Sequence, residues 1–360
     1  MAPRKFQVTW KTILLPVMGL LAFFIYLYLF DVDIPTIIAT AQRVDLSIYL
    51  FAVIALVLET FLFALSWRSL INFLSVKLSV VKSFLYVWFG IFADIVIPAE
   101  SISGEISRVY LITREQNGTS GKVVASLVAH RLMGMGINIA SLIVGMAALL
   151  IGKQLNGIVL NLSVFLVVVT TTFLILLLLL CVKEKWTLKI IRSVIGLVER
   201  IGRGRWKLTK IRAEVVKAVN MFHSSMKEYG HAPRTLLTSL SFYVASWLFS
   251  LTVTYLVFLS LDSPIQWSII IVTCSIVAAV KAIPLGVPFE AGLPEITMST
   301  LYIFFGVSPD VSATATILIR ILTLWFRFFI GFVIQQWLGI KAITSPSMSV
   351  EPLASETKKT

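Results

Sequence analysis

The sequence predicts an all-α integral membrane protein with about six full transmembrane helices and two re-entrant helical hairpins arranged as an inverted repeat. Three observations carry this. Of 360 residues, 58% are apolar and only 14% are charged, well under the roughly 25% charge of a soluble domain. Too little charge exists to cover a folded surface in water, and the apolar residues fall in long runs, with a mean hydropathy of +0.93. Lys and Arg number 31 against 18 Asp and Glu, a net +13. In a membrane chain that excess marks cytoplasmic loops and attraction to anionic lipid rather than nucleic-acid binding. A soluble globular enzyme is excluded.

The elements follow in order. Arg4, Lys5 and Lys11 precede the run Thr12–Phe30, about the length that spans a bilayer. Tyr26, Tyr28 and Phe30 end it as an aromatic belt would, so it reads as a retained first span rather than a signal peptide. Further runs cover Leu46–Leu65, Ser83–Ile97, Val123–Ile151, Ile158–Val182, Leu236–Leu261, Trp267–Pro288, Ile296–Gly306 and Val311–Leu338. Ser83–Ile97 and Ile296–Gly306 fall short of the roughly 20 residues a span requires.

Between Lys183 and Arg234 the composition changes: 13 Lys and Arg against 4 Asp and Glu supply +9 of the net charge. Ile190, Ile191, Val194, Leu197, Val198 and Ile201 form one helical stripe, and Leu208, Ile211, Val215, Val219, Phe222 and Met226 a second, separated by Gly202-Arg-Gly204. The pattern fits a basic helical hairpin lying on the cytoplasmic leaflet, and equally a solvated linker. The chain thus divides into an N-terminal membrane repeat (1–182), the basic hairpin (183–234), a C-terminal membrane repeat (235–340) and a Ser/Pro/Thr-rich disordered tail (341–360).

Charge bias orients the runs. With the N-terminus, the Lys183–Arg234 stretch and the tail all cytoplasmic, Ser83–Ile97 begins and ends on one side. The stretch from Asp262 to Asp310 begins and ends on the other. Each must dip in and return. The first break reads Pro98-Ala-Glu100-Ser-Ile-Ser-Gly104-Glu105, the second Pro288-Phe-Glu290-Ala-Gly292-Leu-Pro294-Glu295. Glutamates lie two and seven residues after each proline, and the copies are 190 residues apart. Arg131 follows Glu105 by 26 residues and Arg320 follows Glu295 by 25. Opposed repeats around broken helices are a transporter architecture, with substrate bound where the breaks meet.

Pro98 through Gly104-Glu105 to Arg108, with Arg131 on the next helix, resembles the lysylphosphatidylglycerol-synthase transmembrane-region family, also called the flippase-like domain family. So does Pro288-Phe-Glu290-Ala-Gly292-Leu-Pro-Glu295 with Gly306-Val-Ser308 and Arg320. The resemblance covers about residues 12–340. It departs from the glycine-rich second motif at Phe289-Glu290 and Leu293-Pro294. The resemblance implies lipid movement across bilayers. Some relatives carry lipid-aminoacylating or glycosyltransferase domains, and the only long polar stretch here is 52 residues.

An ionisable side chain inside a bilayer costs at least ~2.5–3.5 kcal/mol, so it faces a cavity or a partner. The candidate lipid-binding residues are therefore Glu100, Glu105, Arg108, Arg131, Glu290, Glu295 and Arg320. Glu105 and Arg108, three apart, are placed to pair on one helical turn, and Arg108 with Arg131 to grip a phosphate. Arg131 lies roughly 12 Å into its helix, too deep to reach the interface easily. Arg320 and Arg327, seven apart, share one face of the last span, with Glu290 or Glu295 as partner to Arg320. Asp94 and Lys281 lie in the apolar arms, Asp94 as a candidate proton carrier.

No catalytic constellation, cofactor motif or metal-ligand spacing is present: His130, His223 and His231 form no set with Cys181 and Cys274. The expected protein is no enzyme but a multi-pass protein of the cell membrane, with both termini cytoplasmic, that binds or translocates an anionic phospholipid or polyprenyl phosphate. Two rival readings are a proton-coupled transporter of a small polar solute and a membrane subunit of a lipid-modifying enzyme. Membrane lipids are the expected partners and nucleic acid is not; the oligomeric state stays open.

Overall fold

The structure is a computed structural model and describes residues 34–97, 102–152, 157–201, 209–281 and 292–344. The first span Thr12–Phe30, Glu100, Glu290 and the tail beyond 344 lie outside the described residues.

Every regular element among the described residues is helical. In chain order they are α1 (Ile34–Ala41), α2 (Leu46–Phe73), α3 (Val80–Val96), α4 (Ile102–Glu115), α5 (Ser120–Ile151), α6 (Gly157–Val182), α7 (Glu184–Ile201), α8 (Thr209–Gly230), α9 (Pro233–Ser260), α10 (Trp267–Lys281), α11 (Leu293–Phe304), α12 (Pro309–Arg320) and α13 (Arg327–Thr344). A π-helical turn, Ile321–Phe326, joins the last two. Five helices are long and apolar enough to cross a membrane: α2, α5, α6, α9 and the continuous stretch Pro309–Leu338. They coincide with five of the six expected spans. Their outward faces carry large apolar side chains, Phe51 and Ile54 on α2 and Phe165, Val168 and Phe173 on α6 among them. Such a surface suits lipid, not water.

Local chemistry sets the boundaries. Asp45 caps α2 by accepting from the N–H groups of Ser47 (2.8 Å) and Ile48 (3.2 Å), and its own N–H donates to the Ser260 carbonyl at the end of α9. The helix runs past Leu65, where the apolar run ends, because Arg68 and Asn72 find partners on the following turn. Arg68 Nε and Asn72 Nδ2 both donate to the Leu78 carbonyl, and Leu78 N–H donates to Asn72 Oδ1.

Between apolar helices in lipid no hydrophobic gain drives association, so small and hydroxyl side chains do it instead. α2 and α9 pack along their lengths through a reciprocal serine pair: Ser66 Oγ donates to the Ser239 carbonyl (2.8 Å) and Ser239 Oγ to that of Ser66 (3.0 Å). Leu56, Leu142, Phe258, Ile270 and Tyr302 fill the central core between these helices, α5, α10 and α11.

α3 and α4 pack against each other, as do α10 and α11. At 1.5 Å per residue the 17 residues of α3 and the 14 of α4 reach about 26 and 21 Å, short of the roughly 30 Å hydrocarbon core. α3 and α4 meet at two glycines: a β-carbon on Gly104 would fall 2.4 Å from the Gly90 carbonyl oxygen.

The second basic stripe has a protein partner. α8 packs on α5 where Gly121 admits its backbone, and Tyr229 Oη donates to the Leu70 carbonyl (3.0 Å). Val219 and Tyr229 are buried, whereas Trp186 and Ile190 of α7 are exposed.

Candidate functional site

The α3–α4 contact positions the first group of charged residues. Asp94 Oδ1 accepts from Gly104 N–H (2.7 Å) and Ser103 Oγ (2.8 Å), so it caps the first turn of α4 from the neighbouring helix. That commitment gives the residue a structural use. Glu105, next in the chain, points to α5, where Arg131 Nη1 donates to both carboxylate oxygens at 3.3 Å. The residues expected to pair on one turn, Glu105 and Arg108, do not. Instead Arg108 turns to α2: its guanidinium lies 5.1 Å from the centre of the Trp67 ring, and its Nε donates to the Gly104 carbonyl. Gly90 leaves the space for it, since a β-carbon there would sit 3.1 Å from Arg108 Nε.

Around this group stand Glu59 and Tyr243, two residues that the sequence did not single out, with Arg327 and His130. Glu59 of α2 pairs with Arg327 of α13 and accepts from Thr60 Oγ1 (3.0 Å). Tyr243 of α9 lies within electrostatic reach of Glu59, Arg108 and Arg131, its hydroxyl seated against Gly134, where a β-carbon would come within 2.2 Å. His130, beside Arg131, is buried between Phe63 and Tyr243, with ring centroids 4.5 and 4.8 Å away. Glu59 had a legible signal: it is the only charged residue in the run Leu46–Leu65. Tyr243 had none, because a tyrosine in an apolar run is ordinary.

A second group sits in the C-terminal half. Arg320 Nε donates to Glu295 Oε1 at 2.6 Å, and Glu295 Oε2 accepts from Gly292 N–H at 2.8 Å. Gly292 has φ +98°, a conformation glycine adopts freely, and it brings its N–H round to the first turn of α11. Both side chains of the pair are more than nine-tenths buried. The two spacings of 26 and 25 residues are therefore two ion pairs, each closed within its own half. Arg320 and Arg327 do not serve one face: one reaches Glu295 on α11, the other Glu59 on α2. The π-turn between them widens the helix to i→i+5 bonding and breaks the two-turn register that α-helical spacing implies.

Glu105, Arg108, Arg131, Glu295 and Arg320 are thus all buried or partly buried at helix contacts. Glu105, Arg108, Arg131 and Asp94 lie within electrostatic reach of one another, and Tyr243 stands between them and the Glu59–Arg327 pair. Charges taken out of water in this way are costly unless paired, and the pairs at Glu105, Glu295 and Glu59 meet that condition.

Comparison with known proteins matches residues 13–331 to the sequence profile of the lysylphosphatidylglycerol synthase TM region. A UPF0104 membrane protein of Pyrococcus horikoshii is 23% identical over 297 residues, spanning 81% of this chain and 87% of its own length. One from Methanothermobacter thermautotrophicus is 22% identical over 298 residues, spanning 83% and 87%.

Proposed function

This chain belongs to the lysylphosphatidylglycerol synthase TM-region family, and from that premise we propose that it is a transporter of lipid rather than an enzyme. Its substrate is an anionic lipid, a phospholipid or polyprenyl phosphate, carried between leaflets of the cell membrane. The observation that carries this reading is the pair of matched ion pairs, Glu105–Arg131 and Glu295–Arg320, each tying a short helix of a hairpin to the long helix after it. On this reading α3–α4 and α10–α11 are re-entrant hairpins of opposite orientation, the halves 1–182 and 235–340 are inverted repeats, and Thr12–Phe30 is the sixth span. Both termini and the basic hairpin 183–234 then face the cytoplasm. Short helices, each too brief to cross and each packed on a partner, support that placement.

The test is lipid scrambling in vesicles reconstituted with the full chain and a fluorescent phosphatidylglycerol. Arg131→Ala and Arg320→Ala are expected to abolish scrambling, and Arg114→Ala, a charge at the end of α4, to leave it near the parent rate. Parent-like scrambling by both folded variants removes the charged pairs from the mechanism.

A further inference from the structure

Two side-chain nitrogens in the first charged group are sealed from solvent and bond to nothing among the described residues: Arg108 Nη1 and His130 Nε2, the latter a donor in one of the two imidazole tautomers. Both residues are more than nine-tenths buried, at 8% and 4% exposure. They are neighbours through a short ladder. Arg108 lies over Trp67, whose Nε1 donates to Ser126 (3.1 Å); one helical turn along the same two helices, Phe63 meets His130. One turn is about 5.4 Å, and His130 is within electrostatic reach of the Arg108 guanidinium.

The acidic groups facing Arg108 are occupied elsewhere. Glu105 holds Arg131, Asp94 Oδ1 holds Gly104 N–H and Ser103, and Tyr243, the other polar group in reach, is neutral as a phenol. The remaining cation in reach is Arg131. A guanidinium with one edge unspent and an imidazole N–H one turn away suit a tetrahedral oxyanion, whose two unesterified oxygens point in different directions. A planar carboxylate presents both oxygens to one donor fork and leaves the second donor unmet.

We propose that Arg108 and His130 form a phosphate-binding subsite between α2, α4 and α5. Arg108 Nη1 and the protonated Nε2 of His130 each donate to one non-bridging oxygen, and Trp67 holds the guanidinium flat. Phosphate chemistry is common to a lipid headgroup and to free phosphate. The subsite deepens the lipid-transport reading, which it needs only for the source of the phosphate.

The experiment is calorimetric titration of the delipidated full chain in maltoside with dihexanoyl phosphatidylglycerol, dihexanoylglycerol and inorganic phosphate. Thermal unfolding of each variant is followed alongside. Phosphatidylglycerol should bind at least about tenfold more tightly than dihexanoylglycerol, the loss expected for one charge-assisted hydrogen bond or more. Inorganic phosphate binding within threefold of the lipid marks free phosphate as the source; weaker binding marks the headgroup. Arg108→Lys and His130→Leu should each weaken phosphatidylglycerol by about tenfold or more, and His130→Gln, which keeps an N–H donor, by less than about threefold. Arg108→Met should lose binding while its unfolding temperature stays level or rises, because an unmatched buried charge is removed.

Equal binding of the phosphate-free lipid overturns the proposal, as does unchanged binding in Arg108→Lys and His130→Leu, or failure of Arg108→Met to fold. Phosphate binding that depends on Arg108 without scrambling by the parent leaves the subsite standing and removes the transport reading. Scrambling by the parent with phosphate binding that is indifferent to Arg108 removes the subsite and leaves the transport reading.

Discussion

Replacing Arg320 by methionine strands the Glu295 carboxylate. The bond is 2.6 Å long, and the side chains of Arg320 and Glu295 are only 7% and 9% exposed. Without Arg320, Glu295 keeps one partner among the described residues, the Gly292 N–H. Breaking a buried pair by removing one member typically costs ~3–5 kcal/mol. At roughly 2 °C per kcal/mol, the lower end of the scale for larger chains, the apparent Tm should fall by about 6–10 °C. The comparison is Lys82–Glu115, a pair of almost equal length (2.8 Å) whose side chains are 49% and 37% exposed; exposed pairs are worth less than about 1 kcal/mol. Lys82→Met should therefore move Tm by no more than about 2 °C. The double variant Glu295→Leu/Arg320→Met removes both charges together and should recover most of the loss, since apolar replacement of a whole buried pair is often neutral. Unfolding is followed by intrinsic fluorescence in one detergent at one scan rate, because such midpoints depend on rate. If Arg320→Met matches Lys82→Met, or the double variant is no better than the single, the pair is not the buried, interdependent unit described.

Two helical glycines should respond to alanine with opposite signs. Gly136→Ala in α5, where a β-carbon meets nothing within 4 Å, should stabilise by roughly 0.4–1 kcal/mol through the unfolded chain. Gly104→Ala, with a β-carbon 2.4 Å from Asp94 Oδ2 and the Gly90 oxygen, should destabilise by about 1–3 kcal/mol; equal signs in thermal unfolding would dismiss the tight α3–α4 contact. Topology is checked with single cysteines in a background lacking Cys181 and Cys274. Those at Gly118 and Gly204 should label only from the cytoplasmic side and one at Ser263 only from outside; labelling at Gly118 from outside removes the first re-entrant hairpin.

The long helices were legible because an apolar run of about 20 residues has few other uses, and the glutamate–arginine spacings were legible because charge in such runs demands a partner. What sequence concealed was which partner. Glu105 and Arg108 stand on one turn, but the close glycine contact at Gly90 and Gly104 directs Arg108 to Trp67 and leaves Glu105 to α5. Spacing also assumes 3.6 residues per turn, and the π-turn at Ile321–Phe326 breaks that assumption where Arg320 and Arg327 diverge. The stripe on α8 read equally as part of a leaflet-bound hairpin or of a solvated linker, because periodicity reports an apolar face without saying what covers it. Gly121 and the Leu70 carbonyl, distant in the chain, decide that part of it docks on α5 and α2.

The distribution of bonds bears on how the proposed transporter would move. Glu105–Arg131 and Glu295–Arg320 each close within one half of the chain, so they fasten a short helix to its own long neighbour. Between the halves the polar ties are of another kind. The Ser66–Ser239 exchange and the Ser246 bond to the Glu59 carbonyl are neutral hydroxyl bonds, and such interhelical bonds average only about 0.6 kcal/mol in membranes. The ion pair Glu59–Arg327 also joins the halves. Arg327 directly follows the π-turn Ile321–Phe326, where the backbone has already left α-helical register. A rearrangement that slides one half past the other therefore breaks weak bonds and the Glu59–Arg327 contact. One that unseats a hairpin breaks a charged pair held within the half.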